Sequence, residues 1–439
     1  MSTAIKTNGT TNGVGDEHIT DAYVDFIVDA KYEALPEKAI SKLKDLIIDH
    51  IGVAAGAALG SDSSAPIFKG IQAFSAGTTG SCTVYTKGHN FAPQYAALLN
   101  GAFAHSYDFD DTYAPGTVHP GASVIPATLA QAQVTGASGQ DVLLAIAVGY
   151  EIVCRLSRAL GAGSYTRGFH NTATTGIFGS IGAICKLRGL PRQVVVDALG
   201  LAGSKASGSM QFLHNGSWNK RLHPVGLLHA FSESSDTHGL TEALGSHWEF
   251  PLTALKPFSA CRYTHTGIEI VNNVAKELGR DNMPKKMEVR LGKAGYGIVG
   301  TPVPGKLSPQ NLVDAQFSNY YQLAVTWFHG AGIGFAAYDD DKFNDKRVRE
   351  LCGRISHIED PECPVWGTII DIEMEDGKKI HKMMEWPLGE EQHPFSPAQV
   401  REKFHGLVTK VYDDARAGEI VKAVDGIESS KVADILKLL

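Results

Sequence analysis

A cluster of polar side chains at residues 105–126 is the part of this sequence best suited to chemistry. It reads HSYDFDDTYAPGTVHPGASVIP and places three carboxylates, two threonines, a tyrosine and a histidine within the twelve residues from Asp108 to His119. The glycines and prolines around these side chains are typical of a loop. Apolar, alanine-rich segments precede and follow it, so we expect a polar loop where two buried helices meet, which is a common place for functional residues.

Four further polar clusters lie in otherwise apolar surroundings. They are His170 in RGFHNTATTG; Lys220, Arg221 and His223 in NGSWNKRLHPVGLLHA; Cys261, Arg262, Tyr263 and His265 in FSACRYTHTGIEI; and Tyr320 and Tyr321 in DAQFSNYYQLAV. A histidine beside a core helix or a tyrosine at a helix start is commonly structural, so no single cluster identifies a chemistry.

Two known motifs compete for the string DFDDT. It fits the DxDxT pattern of haloacid-dehalogenase-like phosphatases, in which the first aspartate is a nucleophile at the end of a parallel strand. Here an alanine-rich helical segment precedes the string and no βαβ alternation follows it. The string also fits the DxDD acid of class II terpene cyclases, which are far longer helical chains. Both readings are therefore disfavoured.

The elements that must position these clusters are predicted to be mainly helical from residue 17 to 255. Pro36 precedes a run in which Ile40, Leu43, Ile47, Ile51 and Ala54 share one helical face, and Gly60 ends it. The segment GQDVLLAIAVGYEIVCRLSRALG is apolar nearly all round, which predicts a central buried helix. Gly176, Gly179 and Gly182 lie on one side of another helix, where small residues allow close helix packing.

The pattern changes after about residue 258. Ile370, Ile372 and Met374 alternate with acidic residues, and Asp376-Gly377 then marks a tight turn, so we predict a β-hairpin. Residues 396–439 return to helix. The predicted fold is mainly α: a leader at 1–15, which we expect to be disordered, a large helical domain at 16–258 and 396–439, and an inserted α+β lid with an antiparallel sheet at 259–395.

Composition excludes several classes of protein. The net charge of −7 offers no basic surface for nucleic acid or for an anionic membrane. The apolar runs are shorter than the roughly 20 residues that a membrane helix needs. The six cysteines are widely spaced without a CxxC pair, which favours a reducing compartment and no structural zinc. We therefore expect a cytoplasmic protein.

Taken in order, the five clusters resemble the MmgE/PrpD family, which includes cis-aconitate decarboxylase, 2-methylcitrate dehydratase and iminodisuccinate epimerase. The matching stretches are YDFDDTYAPGTVHPGASVIPATLA, RGFHNTATTGIFG, NGSWNKRLHPVGLLHA, FSACRYTHTGIEI and DAQFSNYYQLAV. The resemblance implies a helical domain built from both chain ends, an inserted lid with the active site between the two, a homodimer, and no metal or organic cofactor.

The resemblance also implies a set of site residues. The family's decarboxylase site carries over to Asp108, Thr112, His119, His170, Lys220, His265 and Tyr321, and Arg221 and His223 belong to the same string as Lys220. Lys220 and Arg221 suit the binding of carboxylates. His119, His170 and His265 suit proton transfer near neutral pH. Tyr321 suits donation to a developing enolate or carbanion.

The roles of Asp108 and Thr112 follow from the charge of the substrate. A carboxylate facing an anion would repel it, so we expect Asp108 to orient His119 or Lys220, or to be held protonated. Thr112 can donate a hydrogen bond to a substrate carboxylate.

Three functions remain compatible with these residues. The first is a cofactor-independent lyase acting on a small di- or tricarboxylate, with decarboxylation of a cis-aconitate-like substrate preferred over dehydration of a 2-methylcitrate-like one. The second is an epimerase or isomerase that exchanges an α-proton on a dicarboxylate such as iminodisuccinate. The third is a non-catalytic homologue that only binds its ligand.

Overall fold

The computed structural model describes residues 19–76, 78, 80–207, 228, 231, 232, 234–237, 239–332 and 335–439. The predicted leader at 1–15 lies outside this part of the chain, as do Lys220, Arg221 and His223.

Helices dominate the described chain. In chain order they are α1 Ile19–Asp29, α2 Glu37–Gly60, α3 Ser64–Phe74, α4 Pro93–His105, α5 Gly121–Thr135, α6 Gly139–Thr166, α7 Asn171–Leu187, α8 Arg192–Ser207, α9 His265–Leu278, α10 Lys293–Gly295, α11 Pro304–Leu307, α12 Leu312–Gln316, α13 Asn319–His329, α14 Asp340–Phe343, α15 Lys346–Cys352, α16 Pro397–Val408, α17 Asp414–Asp425 and α18 Val432–Leu436. The predicted helix that follows Pro36 and ends at Gly60 is α2, and the predicted central helix is α6. The prediction of a mainly α protein is confirmed.

Six strands form two sheets in the described part of the chain. They are β1 Cys82–Thr83, β2 Asn90–Phe91, β3 Pro284–Leu291, β4 Ile355–Glu359, β5 Thr368–Met374 and β6 Lys379–Met384. The first two form a short antiparallel pair, and the other four form a sheet in the order β4-β3-β5-β6. The pairs β3–β5 and β5–β6 are antiparallel, whereas β3–β4 is parallel, so the larger sheet is mixed.

The predicted hairpin is confirmed. The strands β5 and β6 pair in register from Thr368–Met384 to Glu373–Lys379, and Gly377 in the turn has a φ of +83°. That left-handed backbone favours glycine because a Cβ would be strained there. Alternate residues of β5 are buried, as the period-two pattern predicts.

The chain divides into two compact units. One consists of Met1–Ile40 and Tyr113–Pro251, and the other of Ser41–Thr112 and Leu252–Leu439. The predicted lid at 259–395 lies wholly within the second unit. The predicted boundaries near 258 and 396 stay a prediction.

Close helix packing forms the core of the first unit. A Cβ added to Gly179 in α7 would lie 2.6 Å from the carbonyl oxygen of Gly149 in α6, and one added to Gly149 would lie 2.8 Å from that of Gly179. The predicted packing role of the glycine face in α7 is therefore confirmed.

In the second unit, α9, α13 and the larger sheet share one apolar core. Its fully buried members include Val271, Leu323, Trp327, Val289 and Ile370. Buried apolar area of this kind supplies most of the stabilisation that holds the elements in place. No helix in the described chain has the length and the apolar character required to cross a membrane.

Candidate active site

The polar loop that follows α4 is held through its backbone by buried side chains of the second unit. The carbonyl oxygen of Tyr107 accepts hydrogen bonds from Ser259 Oγ at 2.8 Å and Gln316 Nε2 at 2.7 Å. The carbonyl oxygen of Asp108 accepts one from Lys256 Nζ at 2.8 Å. Asp108 has a φ of +48°, an uncommon conformation for a residue with a Cβ, and these bonds offset its cost.

Lys256 is also the charge partner of Asp108. Its Nζ lies 2.7 Å from Asp108 Oδ1, and the side chain of Lys256 is 1% exposed while that of Asp108 is 14% exposed. An ammonium group this deeply buried requires a carboxylate partner. The structure thus gives Asp108 a cationic partner that the motifs had not singled out.

A second buried lysine contacts the same loop from α16. Lys403 Nζ donates to the carbonyl oxygen of Phe109 at 3.1 Å and lies 4.1 Å from the centre of the Phe109 ring. It also forms an ion pair with Asp49 of α2 at 2.5 Å, with both side chains almost fully buried. The carbonyls of three successive loop residues, 107 to 109, are therefore fixed by groups from distant parts of the sequence.

Thr112 is the last residue of the loop that belongs to the second unit. Its backbone pairs with Ala254, donating at 2.9 Å and accepting at 2.7 Å. Its hydroxyl group is buried and has no hydrogen-bond partner among the residues that the structure describes. A buried hydroxyl without a partner is costly, and a substrate carboxylate would satisfy it. The role of Thr112 as a donor to a substrate carboxylate stays a prediction.

His265 is fully buried at the start of α9, and both of its ring nitrogens are engaged. Arg262 Nη1 lies 3.0 Å from its Nδ1, and the carbonyl oxygen of Ala260 lies 3.1 Å from its Nε2. A guanidinium can only donate and a carbonyl can only accept, so the imidazole is neutral with its proton on Nε2. Burial, reinforced by Arg262, lowers the pKa of His265 well below its usual value.

A proton-transfer role for His265 therefore requires one of these bonds to break first. In the observed arrangement His265 supports Arg262, whose Nε and Nη2 donate to Glu390 Oε1 at 2.9 and 2.7 Å.

Tyr321 lies in the first turn of α13, which Ser318 caps by accepting from the backbone N–H of Tyr321 at 3.0 Å. The Tyr321 hydroxyl donates to the carbonyl oxygen of Ala337 at 2.6 Å. Burial raises the pKa of Tyr321 above its ordinary value, so this phenol is a neutral donor at physiological pH.

The first unit brings His119 and His170 together, although they are far apart in the sequence. Their ring centroids are 6.3 Å apart, and the rings are tilted by 40°. His170 is the residue before α7, and its neighbour Asn171 donates to the carbonyl oxygen of Gly116 at 2.8 Å. The backbone N–H of His119 donates to Thr172 Oγ1 at 3.1 Å. These bonds hold the two histidines side by side.

Within the first unit, then, two predicted histidines are adjacent; within the second, Asp108 and Thr112 share one rigid loop. Motif reasoning missed Lys256 and Lys403. For Lys256, the available signal was a lone cation in the apolar stretch LTALKPF, since an isolated charge in such surroundings is paired when buried.

The second unit thus contains buried cations beside a polar loop, and the first contains two neighbouring histidines. These residue types are suited to binding anions and to moving protons. The chain belongs to the MmgE/PrpD family: residues 22–228 match the MmgE/PrpD N-terminal domain and residues 258–427 match the MmgE/PrpD C-terminal domain.

Curated relatives resemble the chain over most of its length. It is 26% identical to a cis-aconitate decarboxylase of Aspergillus terreus over 92% of both chains. It is also 26% identical to the human cis-aconitate decarboxylase, over 96% of this chain and 94% of the relative. A 2-methylcitrate dehydratase-like protein of Aspergillus oryzae is 24% identical over 42% of this chain.

Proposed function

We propose that this protein is a cofactor-independent lyase that decarboxylates a small, unsaturated tricarboxylate of the cis-aconitate type. The observation that carries the proposal is the near full-length similarity to proteins named cis-aconitate decarboxylase. The adjacent His119 and His170 support it, because the reaction needs a proton donor.

The electron balance of the reaction matches these residue types. As carbon dioxide leaves the substrate's methylene carbon, the electron pair of the broken C–C bond forms a new C=C bond. The π-electron pair of the original C=C bond moves to the carbon beside a second carboxylate, and that carbon takes one proton. The pair His119 and His170 supplies the proton. Thr112, Lys220 and Arg221 bind the carboxylates.

Dehydration of a hydroxylated tricarboxylate is the second candidate, favoured by the similarity to the 2-methylcitrate dehydratase-like protein. The two lyase reactions differ in whether a carboxylate or a hydroxyl group leaves. Both need a side chain that exchanges a proton with the substrate.

The test is incubation of the purified protein with cis-aconitate, 2-methylcitrate and citrate in heavy water, followed by NMR. Decarboxylation is expected to give one deuterium per product molecule together with released carbon dioxide. Loss of water instead would establish the second candidate. Deuterium exchange without loss of either would indicate an epimerase, and no reaction with any polycarboxylate would contradict all three.

Two histidine variants make the test specific to the proposed site. His170→Ala is expected to lower kcat at least about 100-fold, the usual contribution of a positioned acid or base. The matched control is His381→Ala, another exposed histidine, whose Nδ1 pairs with Asp371 on the surface of the larger sheet. Its turnover is expected to equal that of the wild type.

A further inference from the structure

His105 is a histidine of the same loop region that no motif assigns to the site. It is the last residue of α4, and its Nδ1 lies 2.8 Å from Asp110 Oδ2. The side chain of Asp110 is 2% exposed, whereas that of His105 is 36% exposed. A carboxylate buried to this extent needs a counter-charge, and the end of a helix also favours a cation. Both effects favour the imidazolium form of His105.

The surrounding charges of the second unit have opposing effects on the pKa of His105. Asp110 and Asp108 favour the protonated ring, while Lys256 and partial burial oppose it. Asp110 has the largest effect, and the pKa of His105 is raised to about 9. His50 in α2 and Lys403 in α16 also interact electrostatically with Asp110. His105 is therefore a cation over the whole physiological range of pH.

We propose that His105, fixed by Asp110, is a carboxylate-binding residue that helps to select polycarboxylate substrates. The inference rests on the proposed function, because it adds an anion-binding group to that site. Asp108 and Thr112 are held in the same loop, three and seven positions further along the chain. More than a third of the His105 side chain is exposed, so a solute can reach it.

Propane-1,2,3-tricarboxylate is a suitable probe because it has the three carboxylates but no double bond, so it binds without reacting. Calorimetric titration of the wild type is expected to show affinity that is constant near neutral pH and falls as the pH passes about 9. His105→Gln is expected to weaken binding at least about tenfold near pH 7, the loss of one charge-assisted contact.

Two further variants separate charge from shape. Asp110→Asn removes the carboxylate that raises the pKa of His105, so the fall in affinity is expected to move from about 9 towards the ordinary value near 6.5. His105→Lys keeps a cation and is expected to bind the probe within about threefold of the wild type at pH 7. A loss of binding in His105→Lys equal to that in His105→Gln overturns the proposal.

His329→Gln is the matched control. His329 is also the last residue of a helix, α13, and its Nε2 pairs with Asp345 at 2.9 Å with a side chain that is 21% exposed. Its substitution is expected to leave probe affinity unchanged. Thermal unfolding of each variant establishes that it is folded.

The outcomes separate this inference from the proposed function. Wild-type binding that depends on His105, without turnover of any polycarboxylate, would reject the proposed lyase and support His105 as an anion-binding residue. Turnover by the wild type with unchanged probe affinity in His105→Gln would reject the role of His105 alone.

Discussion

Lys256 carries a buried positive charge, so losing its partner Asp108 would cost the protein stability. Its side chain is 1% exposed and its Nζ contacts both the carbonyl and the carboxylate of Asp108. Water cannot replace a carboxylate at this depth, so the pair is retained as a unit. Because the same pair holds the loop that ends at Thr112, we expect its stabilising and functional roles to be separable by double substitution.

The first prediction concerns this pair. Asp108→Asn leaves the ammonium of Lys256 without its counter-ion and is expected to lower the free energy of unfolding by about 3 kcal/mol. In the double variant Asp108→Asn with Lys256→Met, no buried charge remains, so most of that loss is expected to return while turnover stays low. Urea unfolding measures the stability and NMR measures the turnover.

A surface pair provides the control for that measurement. Lys285 pairs with Glu373 at 2.6 Å, with side chains that are 56% and 32% exposed. Lys285→Met is expected to cost less than about 1 kcal/mol, as exposed pairs do. If Asp108→Asn proved no more destabilising than Lys285→Met, the buried pair would have no special structural role.

At the scale of elements, α16 has to lie close to α2 for Lys403 to contact the loop. A Cβ added to Gly56 of α2 would lie 2.8 Å from the carbonyl oxygen of Leu407 in α16 and 3.0 Å from the Phe335 ring. The start of α16 is fixed by a capping box between Ser396 and Gln399. The position of Lys403 therefore depends on a glycine in a different helix.

The second prediction compares two helical glycines. Gly56→Ala is expected to destabilise the protein by about 1–3 kcal/mol, because backbone has to move to admit the methyl group. It is also expected to lower turnover by displacing Lys403. Gly70→Ala in α3 meets no atom within 4 Å and is expected to raise stability by up to about 1 kcal/mol. Thermal unfolding measures both, and changes of the same sign would contradict the packing argument.

At the scale of the whole molecule, local patterns in the sequence predicted local structure. The hairpin at Asp376-Gly377 was predictable because turn chemistry and alternation act between neighbouring residues. The parallel pairing of β4 with β3 was not, because it joins strands separated by a long crossover that no local pattern encodes. The Asp108–Lys256 contact joins residues 148 positions apart and was missed for the same reason.

Buried histidines of the second unit contribute to the dependence of the protein's stability on pH. Burial lowers the pKa of His50 to about 4 and that of His357 to about 3, and it lowers that of His265 well below the usual value. The unfolded chain protonates these groups near pH 6.5. Their stabilisation is therefore present above pH 6.5 and is lost as the pH falls towards the folded-state values. His105 has the opposite shift, so its contribution is present below pH 6.5 and is lost as the pH rises through about 9.

The last prediction isolates one of these groups. Below pH 6.5 each buried neutral histidine is expected to remove about 1.4 kcal/mol of stability per pH unit, one proton taken up on unfolding. His50 is 4% exposed, and neither ring nitrogen has a hydrogen-bond partner within the described chain. His50→Phe keeps a ring of similar size beside Tyr85. Between pH 6 and 4.5 this variant is expected to lose about 1.4 kcal/mol less unfolding free energy per pH unit than the wild type. Urea unfolding at several pH values measures the slope, with the exposed His381→Gln as control. An unchanged slope in His50→Phe would mean that His50 takes up no proton on unfolding.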